Sequence, residues 1–167
     1  MIDPRKPNYA STPVSPDRPR FGYAPEGRGD ENPVVTIVTP YFNTGAVFHE
    51  TARCVLGQSL QRFEWLIVND CSTDRGALAV LEEYRRLALV DARVRVVDHR
   101  VNHGLSAARN TGYRLAKAPY VFMLDSDDLI EPTTIEKCAL FLECNPEFSF
   151  VKGLTVGFAG QQYLWER

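Results

Sequence analysis

Several things are scarce in this sequence, and each scarcity excludes a class of protein. The four cysteines (Cys54, Cys71, Cys138 and Cys144) include no Cys-x-x-Cys pair, and the three histidines (His49, His99 and His103) share no metal-ligand spacing. Neither a zinc site nor a disulfide framework is expected, and the thiols read as reduced and partly buried. Charge of neither sign dominates: 19 basic residues stand against 21 acidic ones. That balance argues against a general nucleic-acid binder or a polybasic membrane-surface protein. No apolar run approaches the roughly 18 residues of a membrane span. The opening Met1-Ile2-Asp3-Pro4-Arg5-Lys6-Pro7 lacks the apolar stretch of a secretory signal, so a cytoplasmic location is expected.

Proline is sparse except at one end. Seven of the eleven prolines fall in the first 33 residues, beside Arg5, Lys6, Arg18, Arg20 and Arg28. Such a stretch buries too little apolar surface to offset its ordering entropy. Residues 1–32 therefore read as an extended arm whose end Phe21 and Tyr23 can pin, and residues 33–167 as the folded domain.

From Pro33 onward the pattern changes. Val34 to Thr39 is a β-branched run without polar alternation, as expected of a strand buried on both faces. Glu64–Asn69, Val94–Asp98 and Tyr120–Leu124 read as further strands, with Phe148–Lys152 a weaker fifth. Helical periods lie between them: about Val47 to Gln58, then a stripe through Leu78, Leu81, Tyr84 and Ala88. Leu105, Ala108, Gly112 and Leu115 mark a third helix, and a fourth starts near Pro132 and ends before Pro146. Strand–helix alternation of this kind predicts an α/β fold, an open and mostly parallel Rossmann-like sheet with helices on both faces.

In such sheets ligands bind beyond the carboxyl ends of the strands. Those ends carry Thr39-Pro40-Tyr41-Phe42-Asn43, Asp70-Cys71-Ser72-Thr73-Asp74, Asn102-His103-Gly104 with Arg109, and Asp125-Ser126-Asp127-Asp128. Glycine is scarce where a phosphate cradle would need it. Thr39 to Gly45 contains one glycine, so neither a Gly-x-Gly-x-x-Gly turn nor a P-loop is present. A divalent cation is another way to neutralise phosphate, and Asp125-Ser126-Asp127 can hold one, since hard oxygen donors suit Mg²⁺ or Mn²⁺. An acidic turn of this kind also serves as a helix cap. Asp70 reads either as an acceptor for a ribose hydroxyl or base N–H, or as a cap of the next loop. Tyr41 can lie on a base or pack at the domain edge, and Arg109 can meet a phosphate or base or stay solvated.

Taken in order, these segments resemble the N-terminal, nucleotide-binding half of a family 2 glycosyltransferase with the GT-A fold. The likeness covers about residues 33–152 and rests on Val35 to Asn43, Ser59-Leu60, Glu64 to Asp74, Asn102 to Gly112 and Tyr120 to Asp128. It implies that Thr39, Pro40 and Tyr41 contact uracil, that Asp70 binds the base edge and that Arg109 packs near base and phosphates. In the same way Asp125 falls near the ribose and Asp127 becomes the main metal ligand. Asn69 and Cys71 depart from the Asp and Gly the family often has there. The implied reaction is metal-dependent, inverting transfer of a sugar from a nucleotide-diphospho-sugar, with a UDP-sugar favoured and Mn²⁺ or Mg²⁺ as cofactor. The acceptor is a hydroxyl of a saccharide or lipid-linked glycan, which would bring the protein to the inner membrane face.

The family's catalytic base lies well downstream of Asp-x-Asp. The late carboxylates here (Glu131, Glu136, Glu143, Glu147 and Glu166) read as surface charges, so no base is nominated. The domain is expected to be partial, lacking an acceptor half, and to hold the donor without completing transfer. The alternative is a non-catalytic nucleotide-binding module. An apolar sheet edge around Phe148–Val156 predicts self-association.

Overall fold

A computed structural model of the chain describes residues 32–153, 155–157 and 164–165. The expected arm, Asn32 apart, lies outside the described residues, as do Phe21, Tyr23 and Glu166. Four strands build one parallel sheet: β1 (Val35–Tyr41), β2 (Phe63–Asn69), β3 (Val94–Asp98) and β4 (Tyr120–Met123), in the order β3-β2-β1-β4. Val35 lies beside Phe63 on one side and Tyr120 on the other, and Tyr41 ends level with Asn69. β1 and β2 are buried along their whole length, which is why both read as apolar runs rather than alternating ones.

Helices α1 (Phe48–Leu56), α2 (Arg75–Leu87), α3 (Leu105–Leu115) and α4 (Thr134–Cys144) connect and follow the strands, α1 entered through a 3-10 turn at Gly45–Val47. Asp74 starts α2 by accepting the Ala77 N–H at 2.8 Å, and Arg85 and Arg86 sit in its last turn, where the helix dipole favours cations.

The two faces of the sheet differ in depth. Val35, Ile37, Tyr41, Trp65 and Ile67 meet Phe48, Ala52 and Val55 of α1, Ala77, Leu81 and Tyr84 of α2, and Ile135 and Ala139 of α4. On the other face Val38, Leu66 and Val68 pack against Ala108 of α3. There α3 rests almost on β1: a methyl group on Gly112 would fall 2.1 Å from Val38 Cγ1, so only glycine fits. At the far end of the same face Thr36 donates to Glu64 at 2.8 Å. The Glu64 carboxylate also accepts the Lys117 N–H, and Thr36 accepts the Ala118 N–H, which satisfies the loop leading into β4.

Some expectations need correction. The buried stripe of α2 runs through Ala77, Val80, Leu81 and Tyr84, leaving Leu78 exposed, and in α3 only Ala108 and Gly112 are buried while Leu105 and Leu115 face out. The strand expected at Phe148–Lys152 does not form. The Phe148 N–H closes a turn onto the Asn145 carbonyl at 3.1 Å, and its ring folds back on Phe141 with centroids 5.6 Å apart. Two short strands, β5 (Thr155–Val156) and β6 (Leu164–Trp165), pair antiparallel with each other instead. Among the described residues the outer edge of β4 has no neighbouring strand, and a cavity of about 430 Å³ borders it, lined by Tyr120, Phe122, Ile135, Cys138, Leu142 and Phe150 among others. Among the described residues no helix is long and apolar enough to cross a membrane.

Candidate functional site

Beyond the carboxyl ends of β1, β2 and β4 lies a cleft of about 410 Å³, lined among others by Pro40, Phe42, Asp70, Gly104, Leu105, Asp125 and Asp127. It is the crevice that an open parallel sheet leaves for a ligand.

The residues at the end of β1 mostly hold the rim together. Thr39 is fully buried and accepts the Trp65 indole N–H at 2.9 Å. Tyr41 borders the cleft, but its ring packs inward. Its side chain is fully buried, its ring meets Phe48 edge-on with centroids 5.0 Å apart, and its hydroxyl donates to the Ala77 carbonyl at 2.7 Å. Burial pushes the phenol above its ordinary range. The exposed aromatic at the cleft is Phe42, 48 % exposed. Asn43 sits at φ 54° and accepts the N–H groups of Thr73 and Asp74 at 2.8 and 2.9 Å, while its own N–H donates to Ser72 Oγ. One side chain thus ties the loop after β1 to the loop after β2.

Asp70, at the end of β2, is buried and does not cap the loop that follows it. That cap is Asp74, and Asn69 Oδ1 closes the turn by accepting the Ser72 N–H. Asp70 instead accepts from His99 Nδ1 at 2.7 Å, the His103 N–H at 2.9 Å and the Gly104 N–H at 2.6 Å. Burial works to raise its carboxyl, but donation by His103, His99 and Gly104 outweighs it and holds the group below the usual carboxylate range. The donors lie 29 to 34 residues downstream, so the contact shapes the segment that opens α3. Gly104, at φ 85°, is the residue before the helix.

At the end of β4 the acidic residues divide their work. Asp125 is half-exposed and pairs with Arg109, whose Nη2 lies 2.6 and 2.7 Å from the two carboxylate oxygens. Arg109 is thus partly exposed, with one end of its guanidinium committed to Asp125. Ser126 is a tether: its hydroxyl lies 2.6 Å from Thr44 Oγ1 and its carbonyl accepts from Thr51 at 3.0 Å. Asp127 and Asp128 are exposed. Partial burial, followed by the charges of Asp125 and Asp127, pushes the Asp128 carboxyl up. Among the described residues no three His, Cys, Asp or Glu side chains cluster to hold a metal ion.

The structure thus brings Pro40, Tyr41, Asp70, Asp125, Ser126 and Asp127 to one cleft, with the Tyr41 and Ser126 side chains also tied into its support, and places Thr39 and Asn43 behind it. Phe42, Leu105 and His99 carry no site role in the sequence reading. Strand parity carried the signal for Phe42, because it alternates with the inward-facing Tyr41.

An open parallel sheet with an acidic cleft at its strand ends defines an α/β domain with a ligand crevice at the carboxyl ends of its strands. The model of the Glycosyl transferase family 2 matches residues 36–166, and the chain belongs to that family. It is 38 % identical over 119 residues to TuaG of Bacillus subtilis (strain 168), a glycosyltransferase named for teichuronic acid biosynthesis, covering 71 % of this chain and 46 % of that protein. It is 39 % identical over 106 residues to the poly(ribitol-phosphate) beta-N-acetylglucosaminyltransferase TarP of Staphylococcus aureus (strain N315), covering 61 % and 31 %. The fold is similar to S. aureus TarS 1–349 in complex with UDP-GlcNAc (TM-score 0.57, 28 % identity, 65 % of this chain and 31 % of that one). It is also similar to the mannosyltransferase PcManGT of Pyrobaculum calidifontis in complex with GDP-Man and Mn²⁺ (TM-score 0.54, 25 % identity, 68 % and 32 %). The chain spans less than half the length of these proteins.

Proposed function

We propose that the chain binds a nucleotide-diphospho-sugar, a UDP-sugar by preference, in the cleft beyond β1, β2 and β4, as the donor half of an inverting glycosyltransferase. One observation carries the reading: Asp70, Phe42, Asp125 and Asp127 come from three separate strand ends and converge on one cleft. The ligands named in the neighbouring structures, UDP-GlcNAc in TarS and GDP-Man in PcManGT, support it. In this reading Asp70 meets the base edge and Phe42 offers an apolar face to base or ribose. Asp125, held by Arg109, lies toward the ribose, and residues 33–167 form the domain behind the N-terminal arm.

The donor set fits a hard cation. Asp127 presents an exposed carboxylate beside Asp125, oxygen donors of the kind that hold Mn²⁺ or Mg²⁺ when a diphosphate and water complete the shell. When bound, the cation supplies positive charge against the departing diphosphate. The acceptor in the proposal is a hydroxyl of a saccharide or lipid-linked glycan. No base is assigned, since Glu131, Glu136, Glu143 and Glu147 do not line the cleft, Glu136 accepting from Ser59 and Glu143 from Tyr120. That supports donor binding without transfer by these residues alone. Self-association along the outer edge of β4, beside exposed Phe148 and Phe150, belongs to the same proposal.

The test is calorimetric titration of UDP with and without Mn²⁺. Binding is expected to need the cation, and Asp127→Asn is expected to weaken the Mn²⁺-dependent part by at least about tenfold, the loss of one charged contact. An unchanged Mn²⁺-dependent titration in the variant would remove Asp127 from the site.

A further inference from the structure

We propose that His99 is a positioning residue that aims the Asp70 carboxylate at the base, and so sets nucleobase recognition in the cleft; the inference rests on the nucleotide reading above. His99 stands one residue beyond β3, with its side chain only 12 % exposed, and both ring nitrogens are engaged. Nδ1 lies 2.7 Å from Asp70 Oδ1, and Nε2 lies 2.9 Å from the Thr111 hydroxyl on α3. An ionised carboxylate only accepts, so Nδ1 carries the hydrogen, and in the neutral ring Nε2 accepts from Thr111. The His103 ring packs edge-on against this imidazole, with centroids 5.4 Å apart. The imidazole therefore bolts the end of β2 to the middle of α3.

Counting acceptor sites shows what the bolt does. A carboxylate offers about four lone-pair directions. On Asp70, Oδ1 receives His99 and the His103 N–H, and Oδ2 receives the Gly104 N–H. One direction on Oδ2 stays open, and the residue lines the cleft. A fixed carboxylate with one open direction suits a ligand that presents one N–H, as the imide edge of uracil does. Without His99, Oδ1 regains an open site and the carboxylate loses one of the contacts that fix its plane. The base would then meet an acceptor of uncertain direction, and recognition of the imide N–H would weaken while the rest of the donor's contacts persisted.

The experiment compares UDP with N3-methyl-UDP, in which the imide hydrogen is replaced, by titration in the presence of Mn²⁺. The unmodified chain is expected to prefer UDP by about tenfold or more, the value of a hydrogen bond to a charged group. His99→Ala is expected to lose most of that preference while binding N3-methyl-UDP as the unmodified chain does. His99→Gln, whose amide can donate to Asp70 and accept from Thr111, is expected to restore it. Equal weakening of both ligands by His99→Ala, or no rescue by His99→Gln, would overturn the proposal. A measurement on the unmodified chain guards against a variant that fails to fold: the imidazole ¹⁵N spectrum should show Nδ1 protonated, and an Nε2–H tautomer would overturn the proposal by itself. Failure of the unmodified chain to bind UDP at all would count against the nucleotide reading, and the tautomer would still decide whether His99 holds Asp70.

Discussion

The two faces of the sheet solve different problems. Under α1, α2 and α4 lies a deep core built on Trp65, Tyr41, Phe48, Leu81 and Tyr84, several of them fully buried. Its aromatic rings meet at centroid distances of 4.7 to 5.8 Å, Phe48 touching Tyr41, Trp65 and Tyr84 in turn. Under α3 the core is thin, made by Val38, Leu66, Val68 and Ala108, and it relies on close backbone approach at Gly112 and on polar ties. Arg109 and Gly104 sit on or beside α3, and Asp70 lies on the same side of β2 as Leu66 and Val68 by strand parity. The thick face supplies stability, and the thin face sets the position of the cleft. Damage to the first should therefore cost stability alone, whereas damage to the second should cost stability and ligand affinity together.

The largest effect expected is on the thick face. Leu81→Ala removes a buried side chain and is expected to cost about 2–5 kcal/mol, read by denaturant unfolding, with UDP affinity of the folded fraction unchanged. A matching loss of affinity would erase the distinction between the faces. Gly112→Ala comes next. The added methyl meets fully buried Val38, and overpacking of this kind costs about 1–3 kcal/mol. Because α3 must lift off β1, this variant should also bind UDP more weakly; undiminished affinity at reduced stability would show that α3 does not set the cleft.

Acid probes the same face more gently. The Asp70 carboxyl is held below its ordinary range in the folded chain. Its contribution is therefore fully present above the unfolded value of about 4 and is lost as pH falls through the lower folded value. Below about pH 4 the melting temperature of the unmodified chain should drop more steeply than that of Asp70→Asn, which starts lower because the charge is lost and the amide N–H₂ replaces an accepting oxygen and faces at least one N–H donor. Parallel curves in a calorimetric pH series would assign the acid response to other carboxylates.

The smallest effect belongs to the rim, outside both cores. Cys71 is held at φ 60°, a left-handed conformation that burdens a residue with a Cβ by about 1–2 kcal/mol. Cys71→Gly removes that strain and adds unfolded-chain entropy of about 0.5–1 kcal/mol. A net gain below about 1 kcal/mol is expected, visible as a slightly raised melting temperature. A loss would mean that the thiol contact with the Arg100 carbonyl outweighs the backbone strain.

Much of this arrangement is legible in the sequence because it follows local periods. The β-branched run of β1 and the apolar run of β2 announce strands buried on both faces, and parallel-sheet rules then place Asp70 and Asp125 to Asp127 at one rim. What the sequence conceals is nonlocal. Asp70 looks like a free acceptor or a cap because its donors, His99, His103 and Gly104, lie beyond β3 in the chain. Arg109 and Asp125 are 16 residues apart, yet they pair. Tyr41 is a different case. Counting by twos from Val35 through Ile37 puts it on the thick face, so its burial was readable from parity, although its polar hydroxyl suggests a surface position. The segment at Phe148 has a strand's composition, but the turn at Asn145 sends its ring back onto α4.

The Asn43 side chain has a consequence for how this fold can vary. Its carbonyl oxygen serves two amides of the loop after β2, one of them belonging to Asp74, the residue that starts α2. The loops after β1 and β2 are thus two walls fastened by a single rivet. Neither can be lengthened or shortened independently: an insertion in one strands the amides of the other and unsettles the first turn of α2. Engineers seeking to reshape the cleft should leave these two loops as a matched pair and place new length after β4 instead.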